Sequence, residues 1–327
     1  MSYKHLLVLF LVACGGDPSN PGGAADAAPD AAPDAAPDSG SGTDARTSVD
    51  AAAAVDPATT GPATFTTSTA SIPGTSTMRT VVATVFTPSS AGPRPLVVVS
   101  PGFQLDRAQY TSYAEHLASW GFVVILTTYA ESGLGINHER IAADVPKVVD
   151  WALANTALAI DAQKIGLAGH SLGGKISVRA ASLDARVKAV VGWDPVDSTN
   201  GGSVAPERVI GLTAKLAIVG ETTNATCTGL LCQACAPAAE NFEQFYAPAP
   251  SPALQITVTG ADHMDWVDDP TCFVCGLCGP GTAAPAVTHT ITRRLNVAWF
   301  RRHLFADASM DAWLTTPPEP AAIVVSK

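Results

Sequence analysis

Residues 165–175 read Ile-Gly-Leu-Ala-Gly-His-Ser-Leu-Gly-Gly-Lys, which places Ser171 between Gly169 and Gly173 directly behind an apolar run. A serine hydroxyl is a weak nucleophile. It becomes a strong one when a histidine takes its proton and a carboxylate orients that histidine. Three histidines follow Ser171 in the chain: His263, His289 and His303. His263 comes straight after Ala-Leu-Gln-Ile-Thr-Val-Thr-Gly-Ala-Asp, at the carboxyl end of a strand, where sheets of this kind place their chemistry. His289 and His303 fall on an amphipathic closing helix, as solvated or helix-terminal side chains, so His263 is the expected base. His170 is expected to pack beneath the turn that carries Ser171, and His138 to sit in a loop before a helix.

Three carboxylates compete for the role of acid. Asp194 ends the run Lys-Ala-Val-Val-Gly-Trp, Glu221 ends the next strand, and Asp197 lies just behind Asp194. A carboxylate at a strand end is better placed than one in the loop beyond, so the order of preference is Asp194, Glu221, Asp197. Negative charge developing on a substrate oxygen needs two backbone N–H donors. Leu172, next after the nucleophile, offers one. Phe103, in Ser-Pro-Gly-Phe, offers the other, because Pro101 has no N–H; its ring can pack as a core aromatic would while its backbone acts. Phe103, Leu172 and Trp266 are expected to form an apolar rim around the serine.

These residues need a scaffold that brings distant strand ends together. Short, solidly apolar runs such as Leu-Val-Val-Val, Val-Val-Ile-Leu and Ala-Val-Val-Gly alternate with helical patterns. That alternation predicts a mostly parallel sheet with helices on both faces. Ser171 then sits where a buried strand meets a helix, a turn so tight that only glycines fit at 169 and 173. The domain is expected over 63–306, with a tail at 307–327. Within it, Pro146 is expected to bend the helix begun near residue 138 or to mark its true start.

The amino end is different in kind. A short apolar run from Leu6 to Ala13 precedes Cys14, too short to span a bilayer but suited to an export signal over residues 1–14. Residues 15–62 are rich in Ala, Pro and Asp, with Ala-Ala-Pro-Asp three times in tandem from residue 27. Such a segment buries too little apolar surface to fold and reads as an extended tether. The net charge of the chain is −10, yet its first 62 residues hold eight aspartates against Lys4 and Arg46. The remainder is near balance and shows no basic cluster, which argues against a nucleic-acid partner. Six further cysteines, Cys227, Cys232, Cys235, Cys272, Cys275 and Cys278, form an even set, as disulfides in an exported protein do; zinc or iron–sulfur ligation is the less favoured reading, and the pairing is open.

Several of these stretches resemble known families. The catalytic pattern is similar to the α/β-hydrolase superfamily over essentially all of 63–306. Val-Val-Val-Ser-Pro-Gly-Phe with Gly-His-Ser-Leu-Gly-Gly resembles bacterial cutinases and polyester hydrolases. Gly-His-Ser-Leu-Gly-Gly-Lys, Asp194-Pro-Val-Asp197, Cys235-Ala-Pro and Ala261-Asp-His-Met-Asp-Trp-Val-Asp-Asp269 together resemble chlorophyllases, in four segments and in the same order. That resemblance implies a Ser171, Asp194, His263 triad, ester hydrolysis and no cofactor or metal. Leu172 stands where chlorophyllases carry arginine, and Ser-Pro-Gly-Phe replaces their His-Gly-Tyr-like loop, so the expected substrate is a small hydrophobic ester rather than chlorophyll. Leu11-Val12-Ala13-Cys14 resembles a bacterial lipobox, which implies lipidation of Cys14 and attachment of a monomer to the cell envelope, at the outer membrane or the periplasmic face. The alternatives are a cutinase-like polyester hydrolase, an acyltransferase on the same scaffold and, least favoured, a surface-binding module that has lost its chemistry.

Overall fold

A computed structural model describes residues 55–76, 78–130, 136–198, 201–227, 234–272 and 275–327. Cys14, the lipobox, most of the expected tether and Cys232 lie outside the described residues. Strands β1 (Phe65–Pro73) and β2 (Thr80–Pro88) form an antiparallel hairpin. Six strands follow that run parallel to one another: β3 (Arg94–Ser100), β4 (Val123–Thr128), β5 (Ile160–His170), β6 (Val187–Trp193), β7 (Lys215–Glu221) and β8 (Ala253–Val258). The spatial order is β1-β2-β4-β3-β5-β6-β7-β8, closed by the antiparallel edge strand β9 (Ala322–Ser326). This is the mostly parallel, helix-covered sheet of an α/β-hydrolase fold.

The parallel strands are apolar on both sides because both sides are covered. Along β3, Val97 and Val99 pack into one core with the helices α1 (Thr111–Ser119), α6 (Pro285–Leu304) and α7 (Asp311–Thr315). Leu96 and Val98 point the other way, toward α2 (His138–Ala154), α3 (Leu172–Leu183), α4 (Glu207–Ile210) and α5 (Phe242–Tyr246). Period-two alternation thus feeds two cores from one run of valines. Helix α2 neither starts nor breaks at Pro146: it runs without interruption from His138, with the Asn137 side chain accepting from the Arg140 N–H at 2.9 Å. His138 is therefore the first helical residue rather than part of a preceding loop.

Both ends of the domain lie further out than the sequence pattern marks. Residues 307–327, expected as a tail, supply α7 and β9. Strand β9 covers an edge of β8 that would otherwise present unpaired backbone groups. At the other end, Asp56 pairs with the buried Arg294, Nε to Oδ1 at 2.8 Å, and the Thr59 carbonyl accepts from Trp120 Nε1 at 2.9 Å. Arg294 also pairs with Glu319, so one buried guanidinium on α6 holds the segments flanking the sheet. A charge buried this deeply requires such partners.

Candidate active site

The carboxyl ends of β5, β6 and β8 deliver three side chains to one point. Strand β5 ends at His170 and α3 begins at Leu172, leaving Ser171 alone at the turn with φ +53°. A Cβ added at Gly169 would lie 2.5 Å from the Gly173 carbonyl, and one at Gly173 would collide with the Ser100 carbonyl. The tight turn therefore depends on both glycines. The Ser171 N–H donates to the Trp193 carbonyl at 2.9 Å, which fastens the turn to β6.

Residue 194 follows directly, and its backbone also departs from the strand, with φ +40°. The Asp194 side chain is fully buried, and its Oδ2 accepts from His263 Nδ1 at 2.5 Å. On the other side of the ring, His263 Nε2 lies 2.9 Å from Ser171 Oγ. With Nδ1 donating to the carboxylate, Nε2 is left as an acceptor facing the serine proton. This arrangement can move a proton off Ser171 and stabilise the imidazolium that results.

Glu221 and Asp197 are not part of this chain. Glu221, at the end of β7, accepts from the backbone N–H groups of Thr223 and Asn224. Burial and the neighbouring charge of Asp194 push its carboxyl up to about 7. Asp197 pairs with the buried Lys175 at 3.2 Å and accepts from the N–H groups of Val204 and Ala205. That pair fastens the loop after Asp194 to the helix that starts at Leu172.

Asn224 is a positioning residue that the sequence pattern did not reveal. Its Oδ1 accepts from the His263 N–H at 2.7 Å, and its Nδ2 donates to the Gly279 carbonyl at 2.8 Å. No spacing rule picks out an asparagine whose partners lie 39 and 55 residues away. Two disulfides stand behind it: Cys235–Cys278 and Cys272–Cys275. Cys227 is also disulfide-bonded. The first bridge joins the loop after β7 to the loop that follows His263, and both of its cysteines line the cavity at Ser171. Among the described residues no group of three or more His, Cys, Asp or Glu is placed to hold a metal ion.

The cavity over Ser171 has a volume of about 590 Å³. It adjoins a second of about 470 Å³, and the two share Phe103, Leu105, Ile136 and Leu172 as walls. The rim meets expectation at two residues and departs from it at a third. Phe103 and Leu172 line the cavity as expected, with Phe103 39% exposed. Trp266 contributes nothing to the rim. It is fully buried, with its Nε1 donating to Thr292 Oγ1 at 2.9 Å, and Leu277, 49% exposed, stands at the opening instead.

Comparison with known proteins gives a consistent picture. The chain is 26% identical to Chlorophyllase-2 of Arabidopsis thaliana over 208 residues, which cover 57% of this chain and 65% of that one. It is 24% identical to Cutinase 1 of Thermobifida cellulosilytica over 241 residues, or 72% of this chain and 78% of the cutinase. A bis(hydroxyethyl) terephthalate hydrolase of Streptomyces coelicolor is 23% identical over 252 residues, 74% of this chain and 68% of the relative. The match thus spans just under two thirds of the plant Chlorophyllase-2. A family model described as Chlorophyllase covers residues 57–320, well over half of the sequence, and the chain belongs to the chlorophyllase family.

Proposed function

We propose that the protein is a serine carboxylic-ester hydrolase acting on hydrophobic esters through an acyl-enzyme. The observation that carries this reading is the continuous chain Ser171 Oγ, His263 Nε2, His263 Nδ1, Asp194 Oδ2 at the floor of an apolar-rimmed cavity. Ser171 Oγ attacks the ester carbonyl carbon while its proton passes to His263 Nε2. The N–H groups of Phe103 and Leu172 receive the oxyanion. Collapse of the tetrahedral intermediate expels the alkoxide, which takes the proton from His263. Water then repeats the sequence on the acyl-enzyme, giving its proton to His263, releasing the acid and restoring Ser171.

The names of the relatives support ester chemistry from both branches, and the exposed Phe103 and Leu277 favour a cutinase-like polyester hydrolase as the second reading. A panel of p-nitrophenyl esters, chlorophyll and a polyester film separates them. Wild type is expected to prefer medium acyl chains over acetyl, since each buried methylene adds up to about 0.8 kcal/mol. Chlorophyll is expected to turn over poorly, because Leu172 replaces the arginine of the chlorophyllase pattern. Ser171→Ala should lose several orders of magnitude in rate while remaining folded. A mutant that kept a tenth of wild-type turnover would exclude the covalent route.

Export and lipid attachment through Cys14 belong to the same reading. Leu11-Val12-Ala13-Cys14 and the disulfides in the domain support it. Labelling with an alkyne fatty acid should mark the wild-type protein and not Cys14→Ala; equal labelling would refute it.

A further inference from the structure

His170 precedes the nucleophile, is fully buried, and takes no part in the proton relay described above. Its two ring nitrogens nevertheless both have partners. Nδ1 lies 2.9 Å from the Tyr110 hydroxyl, and Nε2 lies 2.8 Å from the carbonyl of His263. Tyr110, also fully buried, receives a further bond: the Gly102 N–H donates to its hydroxyl oxygen at 3.1 Å.

The directions of these bonds follow from elimination. A carbonyl can only accept, so His170 Nε2 must carry a proton. Burial holds the ring well below the usual histidine range, so it is neutral and Nδ1 must be the acceptor. The Tyr110 hydroxyl therefore donates to Nδ1 while accepting from Gly102. Every bond runs one way, from Gly102 to His263.

We propose that Tyr110 and His170 are positioning residues, whose one-way chain locks the loop carrying the Phe103 N–H to the backbone of His263 beneath the nucleophile. The inference rests on the reading of Ser171 as nucleophile. It joins the two parts of the site by hydrogen bonds. Gly102 sits against both rings so closely that a Cβ there would lie 3.1 Å from His170 Nδ1 and 3.2 Å from the Tyr110 hydroxyl. The loop also needs restraint, since Gln104, two residues on, has φ +57°, a conformation that disfavours any non-glycine residue. The rings are themselves fixed: Tyr110 packs on Trp193 with centroids 6.0 Å apart, and His170 stacks on Trp266 at 6.1 Å. The buried Trp266 thus has a role at one remove from the cavity.

Misplacing an oxyanion donor by about an ångström costs on the order of a hundredfold in rate without weakening substrate binding. The test uses p-nitrophenyl butyrate and the full-length protein. Tyr110→Phe, which removes one oxygen, should lower kcat by about 10- to 100-fold and leave KM within about twofold. Unchanged kcat in the folded variant would overturn the proposal. His170→Gln keeps one acceptor and one donor and should retain more kcat than His170→Leu; equal losses would also overturn it. Nitrogen-15 NMR of the wild-type ring tests the direction of the chain without any mutation. A neutral Nε2–H tautomer at pH 7 is expected, and an Nδ1–H tautomer or a charged ring would refute it. Ser171→Ala separates the two levels. If it remains active, the nucleophile reading fails; if it is inactive while Tyr110→Phe is normal, only the chain fails.

Discussion

The ends of β6 and β7 carry the same equipment and do different things. Each brings a carboxylate to the carboxyl edge of the sheet, one strand apart, and both are buried. At Asp194 the backbone turns at once into positive φ, and the side chain reaches His263. Among the described residues its other oxygen, Oδ1, has no hydrogen-bond partner, so its capacity to accept is directed at the imidazole. Glu221 stays in the strand, and its carboxylate folds forward onto the N–H groups of its own loop. There it holds Asn224, which in turn holds the backbone of His263. One carboxylate faces the ring and the other fixes the chain on which the ring is mounted. The positive φ at Asp194, absent at Glu221, accompanies this separation of roles.

The largest expected effect breaks this division at Asp194. Asp194→Asn should lower kcat about 10³- to 10⁴-fold, because the amide leaves His263 in the wrong tautomer and its imidazolium unsupported. A comparable loss in Glu221→Gln, measured on the same ester, would reverse the assignment. Next comes Lys175→Met, which strands Asp197 in a buried site. It should cost about 3–5 kcal/mol in denaturant unfolding while leaving the rate per folded molecule within a fewfold of wild type. A catalytic loss without a stability loss would move Asp197 into the chemistry.

The smallest effect sharpens the contrast through pH. Glu221 is raised to about 7 from an ordinary 4.5, so the folded protein keeps a proton that the unfolded chain has released. The resulting stability is fully present below pH 4.5 and is lost as pH rises through 7. Glu221→Gln should flatten that part of the stability profile, with kcat within about threefold of wild type, since the amide oxygen still accepts from the loop. An unaltered slope in thermal melts between pH 4.5 and 8 would show that Glu221 titrates normally.

The parallel strands were legible in the sequence because a strand buried on both faces is spelled as an unbroken apolar run. β1 and β9 were not. Most of the residues in Phe-Thr-Thr-Ser-Thr-Ala-Ser-Ile-Pro are exposed or half-exposed, and an edge strand of that kind looks like a loop. At the site, Ser171 and His263 could be read from local context, since glycine spacing and a strand end are features of neighbouring residues. Asp194 could only be ranked above Glu221 and Asp197, because its turn is a property of the folded backbone. Asn224 and the pairing of Tyr110 with His170 could not be read at all. Their meaning lies in bonds between segments 39 to 93 residues apart. The misjudged Trp266 has a similar origin: it is as large and apolar as Phe103, and its burial, with the indole N–H bonded to Thr292 on α6, is a property of the fold.

The bridge between Cys235 and Cys278 bears on how the cavity meets its substrate. It makes two loops from different strands into a single wall, so neither can swing away without the other. On the proposed reading, a wall of that kind is shaped before an ester arrives, and little ordering entropy is lost when a fitting molecule enters. The same stiffness works against a substrate that is too wide, which is turned away rather than accommodated. If that wall sets which esters enter, a reducing agent should broaden the range of esters hydrolysed even as it slows the turnover of the best one, and an unchanged ester profile after reduction would show that the bridge does not shape the opening.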